Sequence, residues 1–411
     1  MARPRHLYIT TIALTLTLGF PCAAQEEGGR WEGRVFIPDT SIERPEHVGV
    51  KAHTNHRILA EPAGGLGPMG GMVPAQLRGF YGFPTPVSTV PYATTGVVDP
   101  GSGVIAIVDA YDYPTALADF NVFSKYFGLP YETSSNATAS ANKVFQVVYA
   151  PGSRPKGNGG WNQEAALDIQ WAHAMAPAAK IVLVEAKSAS WNDLFQAVDV
   201  AKGIAGAHQV SMSWGGNEWS GESSYDTHLS AAAGPVFFAA AGDSAGKVIY
   251  PSCSRYVVAA GGTSVSTGSQ GNFIAESAWS DGGGGNSTFV AKPAWQTGVS
   301  MSGGHRGVPD LSSDADPNTG VSVYDSTPYA GMKGWMVFGG TSVSTPCLAG
   351  MTNASGATFT STTDFLTRLY LLYLGGTGAF RDITTGSNGF PALVGWDYCT
   401  GVGVPDGTGS F

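Results

Sequence analysis

The chain has 411 residues, of which 43% are hydrophobic and 13% charged, with 57 glycines and a formal net charge of −9. That much apolar material can build a sizeable core, which excludes a disordered chain. The acidic balance excludes a nucleic-acid binder that relies on a basic footprint.

Low charge with abundant Gly, Ser, Thr and Asn reads as a secreted, loop-rich protein. The N-terminus supports that reading. Arg3 and Arg5 precede an apolar run from Leu7 to Phe20, and Pro21-Cys22-Ala23-Ala24 places small residues at −3 and −1 before Gln25. Residues 1–24 therefore read as an export signal, and no stretch is long enough for a membrane span. Beyond it Cys253, Cys347 and Cys399 remain, an odd number that allows one bridge at most. Cys347 reads as a small buried hydrophobe.

Residues 25–75 are polar and rich in Gly and Pro, show no helix or strand period, and read as a short prosegment or linker. A folded domain is expected from about residue 76 to 411. Val104–Val108 is a candidate buried strand, followed by a helix over 115–127 and a strand over 143–149. Then come a helix over 162–175, a strand over 180–184 and a helix over 191–201. A strand over 210–214, a short helix over 227–233 and a strand over 236–240 complete the alternation. Continuous apolar strands alternating with helices predict an α/β fold with a mostly parallel sheet flanked by helices on both faces. Such sheets gather their sites at the carboxyl ends of the strands. Residues 266–334 read as a long loop-rich insertion.

The heptapeptide Gly-Gly-Thr-Ser-Val-Ser-Thr occurs at 261–267 and again at 339–345. The first copy is followed by Gly268-Ser269-Gln270-Gly271, a loop, so Ser264 reads as a strand end turning through Gly261-Gly262. The second runs into Pro346 and an apolar stretch. This places Ser342 at a helix N-terminus, where free N–H groups favour developing negative charge, and makes it a candidate nucleophile.

A nucleophilic serine needs a base. Asp109 ends the first strand and would be the acid of a Ser-His-Asp triad, but no histidine here sits in a His-Gly-x-His motif. Glu164 and Asp168 are spaced i, i+4, which puts both carboxylates on one helix face. Buried together, they share protons and titrate as a unit. Asp243, flanked by Gly242 and Ser244 after the 236–241 strand, can reach a cleft. Trp161, Trp171, Trp191 and Trp214 fall on different elements and read as core, which argues against a carbohydrate-binding surface.

The ordered set Glu164-x-x-x-Asp168, Ser211-Met212-Ser213-Trp214-Gly215, Gly242-Asp243-Ser244 and Gly340-Thr341-Ser342-x-x-x-Pro346 resembles the sedolisins, serine-carboxyl peptidases of subtilisin-like fold. The tail from Gly395-Trp396-Asp397 to Gly403 matches their C-terminal signature. The resemblance covers the chain from about residue 76 to its end. It implies a serine-type endopeptidase secreted to the periplasm or exterior, monomeric, acting on protein or peptide substrates at acid pH, with no nucleic-acid or membrane partner. Ser342 would be nucleophile, Glu164 general base and Asp168 its orienting partner. Asp243 would be a protonated donor to the oxyanion. One structural Ca²⁺ would take carboxylates from Asp382 and Asp397 and carbonyls from Ile383, Leu393 and Gly395. Two departures from the family stand out. Leu393 replaces the usual glycine, and the prosegment is shorter than the long folded prodomain typical of sedolisins. The alternative is a catalytically silent relative that binds peptides in the same cleft.

Overall fold

A computed structural model describes residues 28–84, 100–230, 233–300 and 303–411. The expected export signal lies outside these residues. The chain begins with β1 (Gly29–Glu32), β2 (Val35–Pro38), β3 (His53–Thr54), β4 (Arg57–Leu59) and α1 (Pro74–Phe80). The alternating region follows: β5 (Val104–Ala110), α2 (Ala116–Tyr126), β6 (Phe145–Tyr149), α3 (Gly159–Met175), β7 (Lys180–Ala186), α4 (Trp191–Lys202), β8 (Ala207–Met212), β9 (Trp214–Asn217), α5 (Asp226–Leu229) and β10 (Val236–Ala240). Next come β11 (Ile249–Tyr250), β12 (Val258–Thr267), β13 (Phe273–Ala278), β14 (Gly285–Ala291), β15 (His305–Val308), β16 (Leu311–Asp314), β17 (Val321–Tyr329) and β18 (Met332–Gly339). The chain closes with α6 (Thr341–Ala354), α7 (Thr362–Leu374), β19 (Phe380–Arg381) and β20 (Val404–Pro405).

The central sheet runs β13-β12-β10-β8-β5-β7-β6, with β16 also paired to β12. Its neighbours are parallel except β12 with β13. Winding reverses at β5, which has β7 on one side and β8 on the other. A crevice opens at the carboxyl ends of the strands there.

Alternate strand residues feed two cores. Ile105, Ile107, Ile181 and Leu183 pack with α2, α3, α6 and α7 on one face. Val104, Ala106, Val108, Val182 and Val184 pack with α4 on the other. Both faces are covered, so these strands are apolar throughout, which is why they read clearly in the sequence. Trp161, Trp171, Trp191 and Trp214 are all buried, as expected of core residues.

Three expectations need correction. Residues 25–75 are not featureless: β2 and β4 join β18 and β17 in a second sheet, ordered β1-β2-β4-β18-β17. Ile58 pairs with Phe338 and Leu59 with Val337, so this stretch shares a sheet with residues far along the chain. Strands of two to four residues are too short to show a period, and their partners lie far along the chain. The 266–334 stretch is also strand-rich, holding β13 to β17 and the start of β18. Small and polar residues hide these strands from a search for apolar runs. Finally, β12 continues through Gly261-Gly262 to Thr267 instead of turning there. The glycines are needed because a Cβ on Gly262 would stand 2.8 Å from the Ala315 Cβ.

The three cysteines are unbridged and buried. Cys347 packs in the first core, Cys253 Sγ donates to Glu222 at 3.5 Å, and Cys399 Sγ donates to the Phe390 carbonyl at 3.0 Å.

Candidate active site

Two helices present the central residues. α3 is capped by the Asn158 side chain, which accepts the Trp161 N–H at 3.2 Å. From Gly160 to Met175 every residue of this helix is buried. The polar pair Glu164 and Asp168 is therefore fully desolvated. α6 starts directly after β18, at Gly340, whose φ of +99° turns the chain inward. A Cβ there would press on the Asn55 carbonyl oxygen and stand 2.6 Å from Asp243 Oδ2. Ser342 is the second helical residue, so its N–H has no partner within the helix. Pro346, inside the helix and not ahead of it, removes the donor that would close on the Ser342 carbonyl. Ser213 Oγ lies 3.4 Å from that carbonyl.

The strands deliver the rest from their carboxyl ends. Asp109 is the penultimate residue of β5, Ser213 directly follows β8, and Asp243 follows β10. Ser213 joins the two helices: its Oγ donates to Asp168 Oδ1 at 2.8 Å, and its carbonyl accepts from Ser342 Oγ at 3.2 Å. The structure thus brings Ser342, Glu164, Asp168 and Asp243 to one place, with Asp109 beside them.

The electrostatics are those of crowded acid groups. Burial, then the charges of Asp109 and Glu164, push the Asp168 pKa well above the ordinary carboxyl value. Burial, then Glu164 and Glu185, do the same to Asp109, whose carboxyl oxygens both lack a partner. Glu164 Oε2 accepts from the Asn55 N–H at 3.2 Å and lies 2.8 Å from His56 Nδ1. Its Oε1 has no partner. Asp243 Oδ1 accepts both the N–H and the hydroxyl of Thr341, each at 2.8 Å. Its Oδ2 is bare. Burial raises the Asp243 pKa to about 6, against the lowering pull of Arg57 and the Thr341 donors.

Three participants escaped the sequence reading. Ser213 was visible only as part of a motif. Arg57, whose Nη2 donates to the Asp243 carbonyl at 2.6 Å, and His56 sit in a stretch without periodicity. Their contacts span well over a hundred residues of sequence, so no local signal announces them.

The expected calcium residues converge on one loop. Asp382 Oδ2 accepts the Gly395 N–H at 2.7 Å, and Asp397 Oδ2 accepts the Leu393 N–H at 2.8 Å. Burial raises the Asp397 pKa. Among the described residues neither carboxylate has a basic partner. Leu393 is not among the residues with positive φ, so its departure from glycine imposes no strain. Asp397 also accepts the N–H groups of Cys399 and Thr400, and two carboxylates without a basic partner beside backbone carbonyls are the donor chemistry a hard cation takes.

A profile of the Subtilase family matches residues 146–358. Kumamolisin from a Bacillus species (strain MN-32) is 33% identical over 308 residues, which is 65% of this chain and 54% of that protein. Sedolisin from a Pseudomonas species (strain 101) is 25% identical over 315 residues, 67% of this chain and 53% of that one. The chain thus spans about half the length of these curated relatives. A solved Pseudomonas sedolisin, described as a serine-carboxyl proteinase complexed with two molecules of pseudo-iodotyrostatin, superposes with a TM-score of 0.64 at 25% identity. That match covers 82% of this chain and 95% of the other. Among the described residues no helix is long and apolar enough to cross a membrane. The family profile spans more than half of the chain, so the chain belongs to the Subtilase family, and its likeness to kumamolisin and sedolisin supports a sedolisin-family peptidase.

Proposed function

We propose that this protein is an acid-acting serine-carboxyl endopeptidase, exported from the cell. The observation that carries the reading is the group of three buried carboxyls, Asp109, Glu164 and Asp168, linked through Ser213 to a helix-terminal serine, with no Lys or Arg paired to them among the described residues. Buried like charges of this kind hold protons to higher pH than free carboxyls. A site built from them works where they are partly protonated, in acid.

Ser342 attacks the scissile carbonyl, and Glu164 takes its proton through Oε1, the oxygen without a partner. Asp168, held by Ser213, shares a proton with Glu164 and fixes its orientation. The negative charge that develops on the substrate oxygen is met by the Ser342 N–H and by protonated Asp243 Oδ2. With its pKa near 6, Asp243 carries that proton in mild acid and loses it at neutral pH. Glu164 then passes its proton to the leaving amine, and water repeats the sequence on the acyl-enzyme.

Ca²⁺, when bound by Asp382 and Asp397 with the carbonyls of Ile383, Leu393 and Gly395, would supply positive charge to the loop and hold it to the body of the domain. It takes no part in the chemistry.

The test is hydrolysis of a denatured protein from roughly pH 3 to 8, the range over which coupled carboxyls titrate, with wild type beside Ser342→Ala. Activity peaked in acid and lost in the variant is the expected result. A folded wild type with no activity at any pH, yet with peptide affinity equal to that of Ser342→Ala, would establish the silent peptide-binding alternative.

A further inference from the structure

Glu185 stands beside the carboxyl cluster but takes no part in the proposed proton transfers. β5 and β7 are neighbouring parallel strands, and Asp109 pairs with Glu185 in register. Strand alternation puts Asp109 on the face of Ile105 and Ile107, and Glu185 on the face of Ile181 and Leu183. That face carries α3, the helix of Glu164 and Asp168. Asp109 and Glu185 are each 1% exposed. Among the described residues neither Asp109 oxygen has a hydrogen-bond partner, and Glu185 Oε2 has none either. Glu185 Oε1 accepts the Tyr113 N–H at 3.0 Å. Leaving buried polar oxygens without a donor is costly. One proton held between two neighbouring carboxyls relieves both, because the protonated one donates and the ionised one accepts.

The line of carboxyls continues outward. The Asp112 carboxyl lies beside that of Glu185 and accepts from Arg154 Nε at 2.7 Å. Arg154 reaches water, with its side chain 56% exposed against 7% for Asp112. On the other side β6 places Tyr149 in register with Glu185. The groups facing Glu185 are therefore Asp109 on β5, Asp112 and the Tyr113 N–H just after it, Tyr149 on β6 and Arg154 beyond β6. Those facing Asp109 are Glu164 and Asp168 on α3 and Glu185 on β7. Burial raises the Glu185 pKa to about 8, against the lowering pull of the Tyr113 N–H and Arg154. A proton is thus available to this pair throughout the acid range.

We infer that Glu185 is a positioning residue of the proposed peptidase: it shares one proton with Asp109, and where that proton rests fixes how readily the Glu164–Asp168 pair gives up its own. The inference rests on the serine-carboxyl reading above. In the shift one O–H bond breaks as the other forms, and the Asp109–Glu185 pair keeps a single negative charge. Charge on Asp109 is felt directly by Glu164 and Asp168, which then hold protons to higher pH. Charge on Glu185 leaves them less crowded. Arg154 neutralises Asp112 and so lets the charge rest on Glu185.

The experiment records the pH profile of kcat on a denatured protein for the full chain, as wild type, Glu185→Gln and Glu185→Leu. Its low-pH limb follows ionisation of the Glu164–Asp168 pair. Gln donates to Asp109 and leaves the charge there, so the limb should move upward by roughly one pH unit. Leu cannot donate, so Asp109 keeps the proton and the limb should move downward. A merely structural role lowers kcat or Tm without opposite shifts, and limbs that stay or move together would overturn the inference. Where the buried variants fail to fold, Arg154→Gln decides. It should move the limb upward at low salt, and an unmoved limb would overturn the inference.

A second readout needs no turnover. The infrared carbonyl absorption of protonated carboxyls is measured at neutral pH in the Ser342→Ala chain. Adding Glu185→Gln or Asp109→Asn should remove the same band, because each breaks the one shared proton. Separate bands for the two variants, or no change in either, would overturn the inference and leave the peptidase reading standing. A shared band in a folded wild type without activity at any pH would remove the peptidase reading, and the positioning role with it.

Discussion

Asp243 holds Thr341 twice through one oxygen, accepting its N–H and its hydroxyl on Oδ1 at 2.8 Å each, and thereby leaves Oδ2 without a hydrogen bond, 3.9 Å from Arg57 Nε. The residue next to the proposed nucleophile orients the proposed oxyanion donor. Asp243→Asn keeps a hydrogen-bond donor but one that no longer titrates. Turnover should fall by less than the 10²–10³ typical of losing an oxyanion donor, whereas Asp243→Ala should show the full loss. The informative readout is the pH profile of kcat. Wild type should lose activity as pH rises through about 6, where Asp243 gives up its proton. In Asp243→Asn that limb should move upward, and an unmoved limb would assign it to another group.

Glu164→Gln removes the proposed base without changing shape. Activity should drop by roughly 10⁴ or more, as for other members of a nucleophile–base unit. The folded state should not suffer, since the change relieves like-charge crowding with Asp168 and Asp109. Circular dichroism and a melting curve at neutral pH would check the second point. A Tm lowered by several degrees would mean that Glu164 also has a structural role through His56.

Stability should follow acid, and the sign comes from the buried groups. Burial raises Asp109, Asp168 and Asp314 well above the ordinary range, Asp243 to about 6, Asp325 and Glu222 to about 7 and Glu185 to about 8. A carboxyl with a raised folded pKa favours the folded state fully below its unfolded value near 4. That contribution disappears as pH rises through the folded value. For Asp243 it is on the order of 3 kcal/mol. Two buried histidines pull the other way: His53 is lowered to about 3 and His173 to about 4, so each loses its contribution as pH falls from 6.5 toward those values. Seven carboxyls outweigh two histidines, so Tm should be higher at pH 4.5 than at pH 7.5. Calorimetry across that interval would show the reverse if the carboxyls were solvated.

Calcium gives a prediction independent of catalysis. If Asp382 and Asp397 hold the ion, a chelator should lower Tm, and added Ca²⁺ should restore it by mass action, worth about 2.7 kcal/mol at a hundredfold excess over Kd. Asp397→Asn should abolish the response. Its own hydrogen bonds to Leu393, Cys399 and Thr400 explain any loss common to both conditions. Identical melting curves in chelator and in calcium would dismiss the site.

What could be read from sequence follows the range of the interactions involved. Glu164 and Asp168 announce themselves because four residues on a helix are neighbours by local geometry. Ser342 does so because Gly340 and Pro346 punctuate a helix start within a few residues. The parallel strands β5, β7 and β10 are legible because burial on both faces makes them continuously apolar. His56, Arg57 and β4 are not, because each is defined by a partner at a distance, Glu164, Asp243 and Phe338 respectively. Asp109 lies between these cases. Its place at a strand end was visible, but its membership of the carboxyl cluster depends on where α3 packs.

Helices α3 and α6 touch through a glycine, and this contact provides a further test. Gly350 on α6 faces α3 so closely that a Cβ would stand 2.5 Å from the Met175 Cβ and 2.9 Å from the Ala172 carbonyl oxygen. Neither is the loose end of a flexible chain, so the helices must part. Overpacking of this kind costs about 1–3 kcal/mol. Gly350→Ala alone should lower Tm by a few degrees in a chain of this size. Because α3 carries Glu164 and α6 carries Ser342, the separation should also reduce kcat although residue 350 lies two helical turns from the nucleophile. Misplacement by about 1 Å costs on the order of 10² in rate. A Gly350→Ala enzyme with wild-type kcat and wild-type Tm would show that the α3–α6 distance does not set the geometry of the site.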